Sequence, residues 1–206
     1  MNTASNTSQD ITRHGTEPPS AWVKRWSHLV RPQGSVLDVA CGHGRHASWF
    51  FEQNHPLVLV DRSRDAINDI ASRIPANAFE AVVADIESGP WPFAGRQFDA
   101  VIVTNYLWRP LFPTLLASLA PGGVLIYETF TQGNETVGKP SRPDFLLRSG
   151  ELLSACQELR VVAFEDGFVP DSADRPGQPA RFVQRIAAVK EGSAASGSSP
   201  ARYRLI

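Results

Sequence analysis

The sequence predicts a single α/β domain: a seven-stranded, mostly parallel sheet with helices on both faces and an antiparallel edge strand. Three observations carry this prediction. Short apolar runs alternate with helical patterns along the chain, as strands buried on both faces do. One of these runs breaks into a glycine-rich turn that opens a helix. Three successive strands bring an acid to the same end of the sheet: Asp38 with its loop, then Asp61, then Asp85.

The elements follow in order. Residues 1–19 are rich in Ser, Thr, Asn and Pro and are expected to be a flexible lead. Pro19 and Ser20 open an amphipathic helical stretch with Trp22, Val23, Trp26, Leu29 and Val30 on one face, which either packs on the core or caps a site. Strands are expected at 35–40, at 57–60 running into Asp61, at 79–84 running into Asp85, at 98–103 and at 124–127. Helices are expected at 45–52, at 63–74 with Pro75 as the stop, at 110–119 and at 144–156. Two last strands, 159–164 and 181–189, flank a Gly-, Pro- and Asp-containing connection and form an antiparallel pair at one edge. The core domain therefore spans 20–190. Residues 191–206 form a flexible tail, with Arg202 to Ile206 the one stretch apolar and cationic enough to dock.

Composition narrows the function classes. Twenty Lys and Arg against 21 Asp and Glu leave a net charge of −1, so no field favours nucleic acid, and no nucleic-acid partner is expected. Two cysteines, Cys41 and Cys156, cannot build a disulfide framework and fit a reducing cytoplasm. The N-terminal residues lack the apolar stretch of a signal peptide, and no run reaches the roughly 20 apolar residues of a membrane span. Neither His nor Cys spacing makes a metal site.

The strongest motif is Val36-Leu37-Asp38-Val39-Ala40-Cys41-Gly42-His43-Gly44-Arg45-His46-Ala47. Gly42 and Gly44 let a ligand approach the backbone, and the helix N-terminus offers free N–H groups. In an open parallel sheet the ligand sits beyond the C-terminal strand ends, at the switch point. Gly42 to Ala47 also fits the dinucleotide pattern, with Asp61 about 20 residues on where a ribose acid belongs, so a nicotinamide-dependent oxidoreductase is the alternative. Asp38, an anion just before the loop, counts against a pyrophosphate, as does a chain with little room for a second domain. Cys41 reads as a small buried packing residue. Arg45 and His46 open a helix where cations are unfavourable and are expected to be solvated; contact between Arg45 and a ligand carboxylate is the alternative.

On these residues the chain resembles the class I S-adenosylmethionine-dependent methyltransferases, with their Rossmann-like fold, over about 36–189. The resemblance implies S-adenosyl-L-methionine as cofactor, held by Asp38, Ala40, Cys41, Gly42 and Gly44 of the first loop. Asp61, with Arg62 beside it, would meet the ribose, and Asp85 and Ile86 the adenine. Asn105, after the fourth strand, would also touch the cofactor. Phe98-Asp99-Ala100-Val101 and Leu119 to Leu125 match the family's fourth and fifth strand segments. Ala40 departs from the pattern, standing where many members have the first glycine. The run Tyr127 to Phe130, with Gly133-Asn134 and Pro143 to Leu147, is similar to bacterial methyltransferases of the tellurite-resistance type.

The acceptor side is expected after strands four and five. Asn105, Tyr106 and Arg109 are the candidate catalytic residues, Arg109 suiting an anionic or planar acceptor unless it forms a structural salt bridge. Tyr106 and Glu128 are the candidates for a general base, with a pocket wall and a solvated strand-end charge as their plainer roles. Thr104 to Pro110 lacks the (Asp/Asn)-Pro-Pro-(Tyr/Phe) box of amino-group methylases, which favours a small-molecule acceptor. Residues 130–143 form a polar Gly/Pro loop, expected to be either a lid or an ordinary connection. A catalytically silent S-adenosylmethionine-binding module is the remaining alternative.

Overall fold

A computed structural model describes residues 17–171, 179–192 and 201–206. Seven strands form one sheet: β1 (Val36–Val39), β2 (Leu57–Asp61), β3 (Phe79–Val83), β4 (Phe98–Thr104), β5 (Leu119–Phe130), β6 (Arg160–Val169) and β7 (Arg181–Val189). Their order is β3-β2-β1-β4-β5-β7-β6. β1 to β5 pair in parallel, while β7 runs antiparallel to both β5 and β6. The expected antiparallel pair is thus at the edge, with β7 slotted inside β6. The order reverses between β1 and β4, so the connections after these neighbours leave toward opposite faces and open a crevice between them.

Every residue of β1 is buried, as is β2 up to Asp61, which explains why both read as unbroken apolar runs. One face of the sheet is covered by α1 (Ala21–Trp26), α2 (Arg45–Glu52) and α3 (Arg64–Ala71), whose Trp22, Trp26, Phe50, Ile67 and Ile70 join one core. The other core gathers Phe93, Phe98, Leu115, Tyr127 and Leu152 under α4 (Phe112–Ala117) and α5 (Glu151–Ala155). Local caps set the starts. Ser20 Oγ accepts from the Trp22 N–H, and Ser63 Oγ accepts from the Ala66 N–H. The tryptophans of α1 are core residues, and Trp22 Nε1 donates to the Ile186 carbonyl at 3.2 Å.

Three expected elements differ. The helix expected at 144–156 is broken into a 3-10 turn at Pro143–Phe145, an extended piece in which Leu147 bridges Thr131, and α5. Gly150, at φ 69°, starts α5 and interrupts the helical spacing of Leu146, Leu147 and Leu152. The helix expected at 110–119 is shorter, since Leu119 already pairs with Phe98 as the start of β5. β6 runs on to Val169, as far as Arg181 of β7 can pair with it.

The flexible lead falls outside the described residues except for its last three, and so do residues 193–200 of the tail. The final segment is docked: Tyr203 packs against the α1 core, Arg25 Nε donates to the Ile206 carbonyl at 2.6 Å, and His28 Nε2 donates to the Arg204 carbonyl at 3.0 Å. Among the described residues no helix is long and apolar enough to cross a membrane.

Candidate functional site

The crevice beyond β1, β2 and β4 holds a cavity of about 590 Å³, with Asp61, Arg62, Asp85, Ile86, Asn105 and Tyr106 in its wall. A second cavity of about 650 Å³ shares Ala40, Asn105, Phe130, Pro140 and Phe145 with it and adds Cys41, Gly42, Arg45 and Lys139. A smaller one of about 220 Å³ lies behind Ser20, Arg45, Asn105, Glu128, Phe130 and Lys139. Asn105 and Phe130 line all three.

The glycine turn owes its shape to its neighbours. Asp61 Oδ2 accepts the Gly42 N–H at 2.8 Å and Oδ1 accepts the Ser63 N–H at 2.8 Å, so this carboxylate ties the turn to the end of β2. A Cβ on Gly42, at φ +53°, would meet nothing within 4 Å. The backbone there faces open space, as a ligand cradle requires. Gly44 does different work: at φ +70°, its Cβ would stand 2.7 Å from Ile70 Cδ1 and Cγ1. It lets α3 press against the turn and lines none of these cavities. Ala40 holds φ 52°, a conformation an alanine adopts at a cost.

Asp38 is buried beneath the turn rather than in the cavity wall. His46, 1% exposed, sits over it with Nδ1 3.8 Å from Asp38 Oδ2. His46 Nε2 accepts the Ser20 N–H at 3.3 Å, so the ring proton lies on Nδ1 and points at the carboxylate. His46 is therefore not solvated as expected: it is a buried link between α2, β1 and α1. Arg45 is half-buried in the cavity wall, steadied by Nη2 donating to Thr104 Oγ1 at 3.2 Å. Burial, and then the charges of Asp38 and Asp61, push the Cys41 thiol well up, so it stays protonated as a packing residue.

Asp85 spends its carboxylate on its own turn, accepting from the Glu87 and Ser88 N–H groups and from Ser88 Oγ. The Ser88 hydroxyl and the Glu87 N–H hold it below the usual range. Ile86 supplies an apolar wall beside it. Asn105 stands at φ 55° with its N–H donating to the Glu128 carbonyl at 2.9 Å, a strained pivot at the end of β4. Tyr106 has a buried hydroxyl with no hydrogen-bond partner among the described residues. Burial first, and then the charge of Glu87, push its ionisation well up. Its ring lines the crevice wall.

Two acceptor-side expectations are corrected. Arg109 lies away from the crevice: it grips Glu151 with two bonds, 2.6 and 3.0 Å, and donates to the carbonyls of Asp144 and Leu146. It is the structural salt bridge, stapling the 143–151 segment to the turn after β4. Glu128 is neither solvated nor available as a base. It is 3% exposed, with one oxygen on Ser20 Oγ at 3.0 Å and the other on Arg185 at 3.1 Å. Phe130 and Pro140 belong to the loop expected as a lid, whereas the wall contributed by Phe145 was missed from sequence, hidden in the helix expected at 144–156.

A parallel sheet with an acid-held glycine turn at its switch point and an apolar wall after β3 defines a nucleoside-binding α/β domain. Residues 36–123 match the family described as a methyltransferase domain. Over these residues the chain is similar to a methyltransferase domain. Two mycobacterial relatives are similar in sequence. One, from Mycobacterium ulcerans, is a phthiotriol/phenolphthiotriol dimycocerosates methyltransferase, 32% identical over 116 residues, 53% of this chain and 42% of the relative. The other, from Mycolicibacterium smegmatis, is a fatty-acid O-methyltransferase, 33% identical over 100 residues, 45% of this chain and 35% of the relative. The chain thus spans less than half the length of these curated relatives. Among solved structures, TehB from Haemophilus influenzae superposes with a TM-score of 0.68 at 15% identity, covering 84% of this chain and 63% of that one. An S-adenosylmethionine-dependent methyltransferase from Mesorhizobium loti gives 0.63 at 15% identity, covering 82% and 98%. At these identities the likeness is one of fold.

Proposed function

We propose that the chain transfers a methyl group from S-adenosylmethionine to a small-molecule acceptor. The observation that carries this reading is the glycine turn held open by Asp61 at the switch point, inside the methyltransferase match. The residues suit that cofactor: a backbone without side chain at Gly42, a carboxylate at Asp61 with lone pairs left for ribose hydroxyls, and apolar Ile86 and Leu107 for the base. Arg45 is the cation for the donor's carboxylate, aimed by its bond to Thr104. When bound, S-adenosylmethionine supplies a methyl group made electrophilic by its sulfonium, which passes to a nucleophile by in-line displacement.

The chain's own part is to hold both ligands in line and keep water out. Asn105, shared by all three cavities, positions the donor beside the acceptor, and Tyr106 walls the nucleoside end. The 130–143 loop closes over the crevice as a lid, with Phe130 and Pro140 as its inner face. The lipid-like acceptors in the names of the mycobacterial relatives suggest an acceptor with an apolar body.

A thermal-shift titration tests the donor site. S-adenosylhomocysteine at 100 times its Kd should stabilise by about 2.7 kcal/mol, whereas NAD should leave the melting temperature unchanged. Stabilisation by NAD alone would return the chain to the nicotinamide reading. Binding of S-adenosylhomocysteine without label transfer from S-adenosylmethionine to any member of an acceptor panel would mark a silent binding module.

A further inference from the structure

The crevice wall after β3 holds a carboxylate that the turn around it does not use. Asp85, Ile86 and Glu87 are consecutive in that wall. Asp85 turns back on its own chain: Oδ1 accepts the Glu87 N–H at 2.9 Å and the Ser88 N–H at 3.3 Å, and Oδ2 accepts the Ser88 hydroxyl at 2.5 Å. Those bonds shape the turn. They fix the Glu87 backbone, while the Glu87 side chain stays exposed in the cavity wall and enters no ion pair among the described residues. We propose that Glu87, rather than Asp85, accepts the exocyclic amino group of the donor's adenine and makes the site selective for a base that carries an amino group at that edge. The proposal rests on the donor reading above and adds the residue that reads the base.

The surroundings suit Glu87 to this task. Ile86 and Leu107 give the cavity apolar surface against which a planar base can lie. A base placed there buries its ring, and the polar atoms on its edge must still find partners. Arg62, the cation in the same wall, forms no ion pair among the described residues, so it leaves the Glu87 carboxylate available. Asp61 is tied to the glycine turn by the Gly42 and Ser63 N–H groups. Tyr106 completes the wall from the end of β4. Its buried hydroxyl has no hydrogen-bond partner among the described residues, and Glu87 is the acid whose charge, after burial, weighs most on it. The two side chains therefore face the same part of the crevice, and with Tyr106 kept protonated the anion at that place is Glu87.

The chemistry of the pair gives the selectivity. An exocyclic amino group offers N–H donors, and an ionised carboxylate only accepts. An oxo group in the same place would set lone pairs against a charged oxygen. A site built to hydrogen-bond one group rejects the analogue lacking it, because the protein's polar atom is then left unpaired. A carboxamide at position 87 can present either a donor or an acceptor, so it should serve both bases.

The test is calorimetry on the full chain with S-adenosylhomocysteine and with S-inosylhomocysteine, in which an oxo group replaces the amino group of the base. Wild type should bind the adenine ligand at least about tenfold more tightly, the scale of one hydrogen bond to a charged group. In Glu87→Gln that ratio should fall to within about threefold. In Asp85→Asn both affinities should fall together as the turn loosens, with the ratio still about tenfold. Because the ratio is read within one variant, a general loss of fold or affinity cancels, and the Glu87→Gln ratio decides by itself. An undiminished ratio in Glu87→Gln would overturn the assignment, as would a wild type that does not discriminate. A ratio that collapses in Asp85→Asn would return the base to Asp85. Failure of wild type to bind S-adenosylhomocysteine at all would instead remove the donor reading beneath it.

Discussion

Asp61 carries two tasks, so its substitution should cost both stability and affinity, and the amide should be no milder than a conservative change suggests. The carboxylate accepts one backbone N–H on each oxygen, from Gly42 and Ser63, each at 2.8 Å. In Asp61→Asn one oxygen can still accept, but the amide NH2 then faces the second N–H, donor against donor. A bond to a charged acceptor contributes about 1.5–3 kcal/mol and a neutral one about 0.5–1.5. Taking the low end because the residue borders an open crevice, the loss is about 2 kcal/mol, or about 4–8 °C in melting temperature for a domain of this size. Affinity for S-adenosylhomocysteine should fall roughly tenfold or more through the ribose contact. Thermal melts without ligand measure the first effect and calorimetry the second. An unchanged ligand-free melting temperature would refute the clamp, and an unchanged affinity would refute the ribose assignment.

Gly44→Ala should destabilise by about 2–4 kcal/mol, from the left-handed backbone and the clash with Ile70; a loss under about 1 kcal/mol in chemical denaturation would contradict the close approach of α3. Ala40→Gly acts oppositely, relieving φ 52° for a gain of about 0.5–1 kcal/mol, and a lowered melting temperature would contradict it. Arg109→Ala should cost about 2 kcal/mol after allowing for its partly exposed pair with Glu151, with affinity for S-adenosylhomocysteine unchanged. Burial pushes the Glu151 carboxyl up, but Arg109 and the Arg148 N–H outweigh it and hold it below its ordinary value. That stability is therefore full above the ordinary carboxylate range and is lost as pH falls through it, so the wild type should lose more stability than Arg109→Ala between about pH 5 and 3. Deleting residues 201–206 removes the Tyr203 packing and the bonds to Arg25 and His28; a melting temperature lower by about 2–4 °C is expected, and no change would show that the tail rests on the fold without supporting it.

Much of this fold was legible because its strands are buried on both faces and its first helices are strongly amphipathic. β1, β2, β4, β7 and α2 lie within a residue or so of their expected bounds. Asp61, Ile86 and Asn105 reached the crevice for the same reason: they sit at strand ends, and strand ends are fixed by the sheet. What failed depends on partners far along the chain. Arg109 was assigned to an acceptor because its binding partner Glu151 lies 42 residues away. Glu128 and His46 were read as solvated because their partners are remote in the chain: Ser20, the cap of α1, holds one atom of each, and Arg185 takes the second Glu128 oxygen. The broken helix at 144–156 was avoidable, since Gly150 sits inside the expected run and glycine there is a break signal.

Strain marks the place where the two halves of the crevice part. Val39 of β1 and Val103 of β4 are register partners, so their chains reach the sheet edge side by side. Just beyond, two non-glycine residues hold positive φ: Ala40 at 52° and Asn105 at 55°. Each turn is secured by a bond to the next strand outward, Cys41 N–H to the Val60 carbonyl at 3.1 Å and Asn105 N–H to the Glu128 carbonyl at 2.9 Å. One chain then leads to α2 on one face, and the other to the helical turns before α4 on the opposite face. A smooth exit from either strand would let the two connections close over each other. The left-handed kinks keep them apart, and both kinked residues line the cavities that result. Backbone strain of order 1–3 kcal/mol at such positions persists only where the surroundings enforce it. Here the neighbouring strands enforce it, and the open crevice is what it maintains.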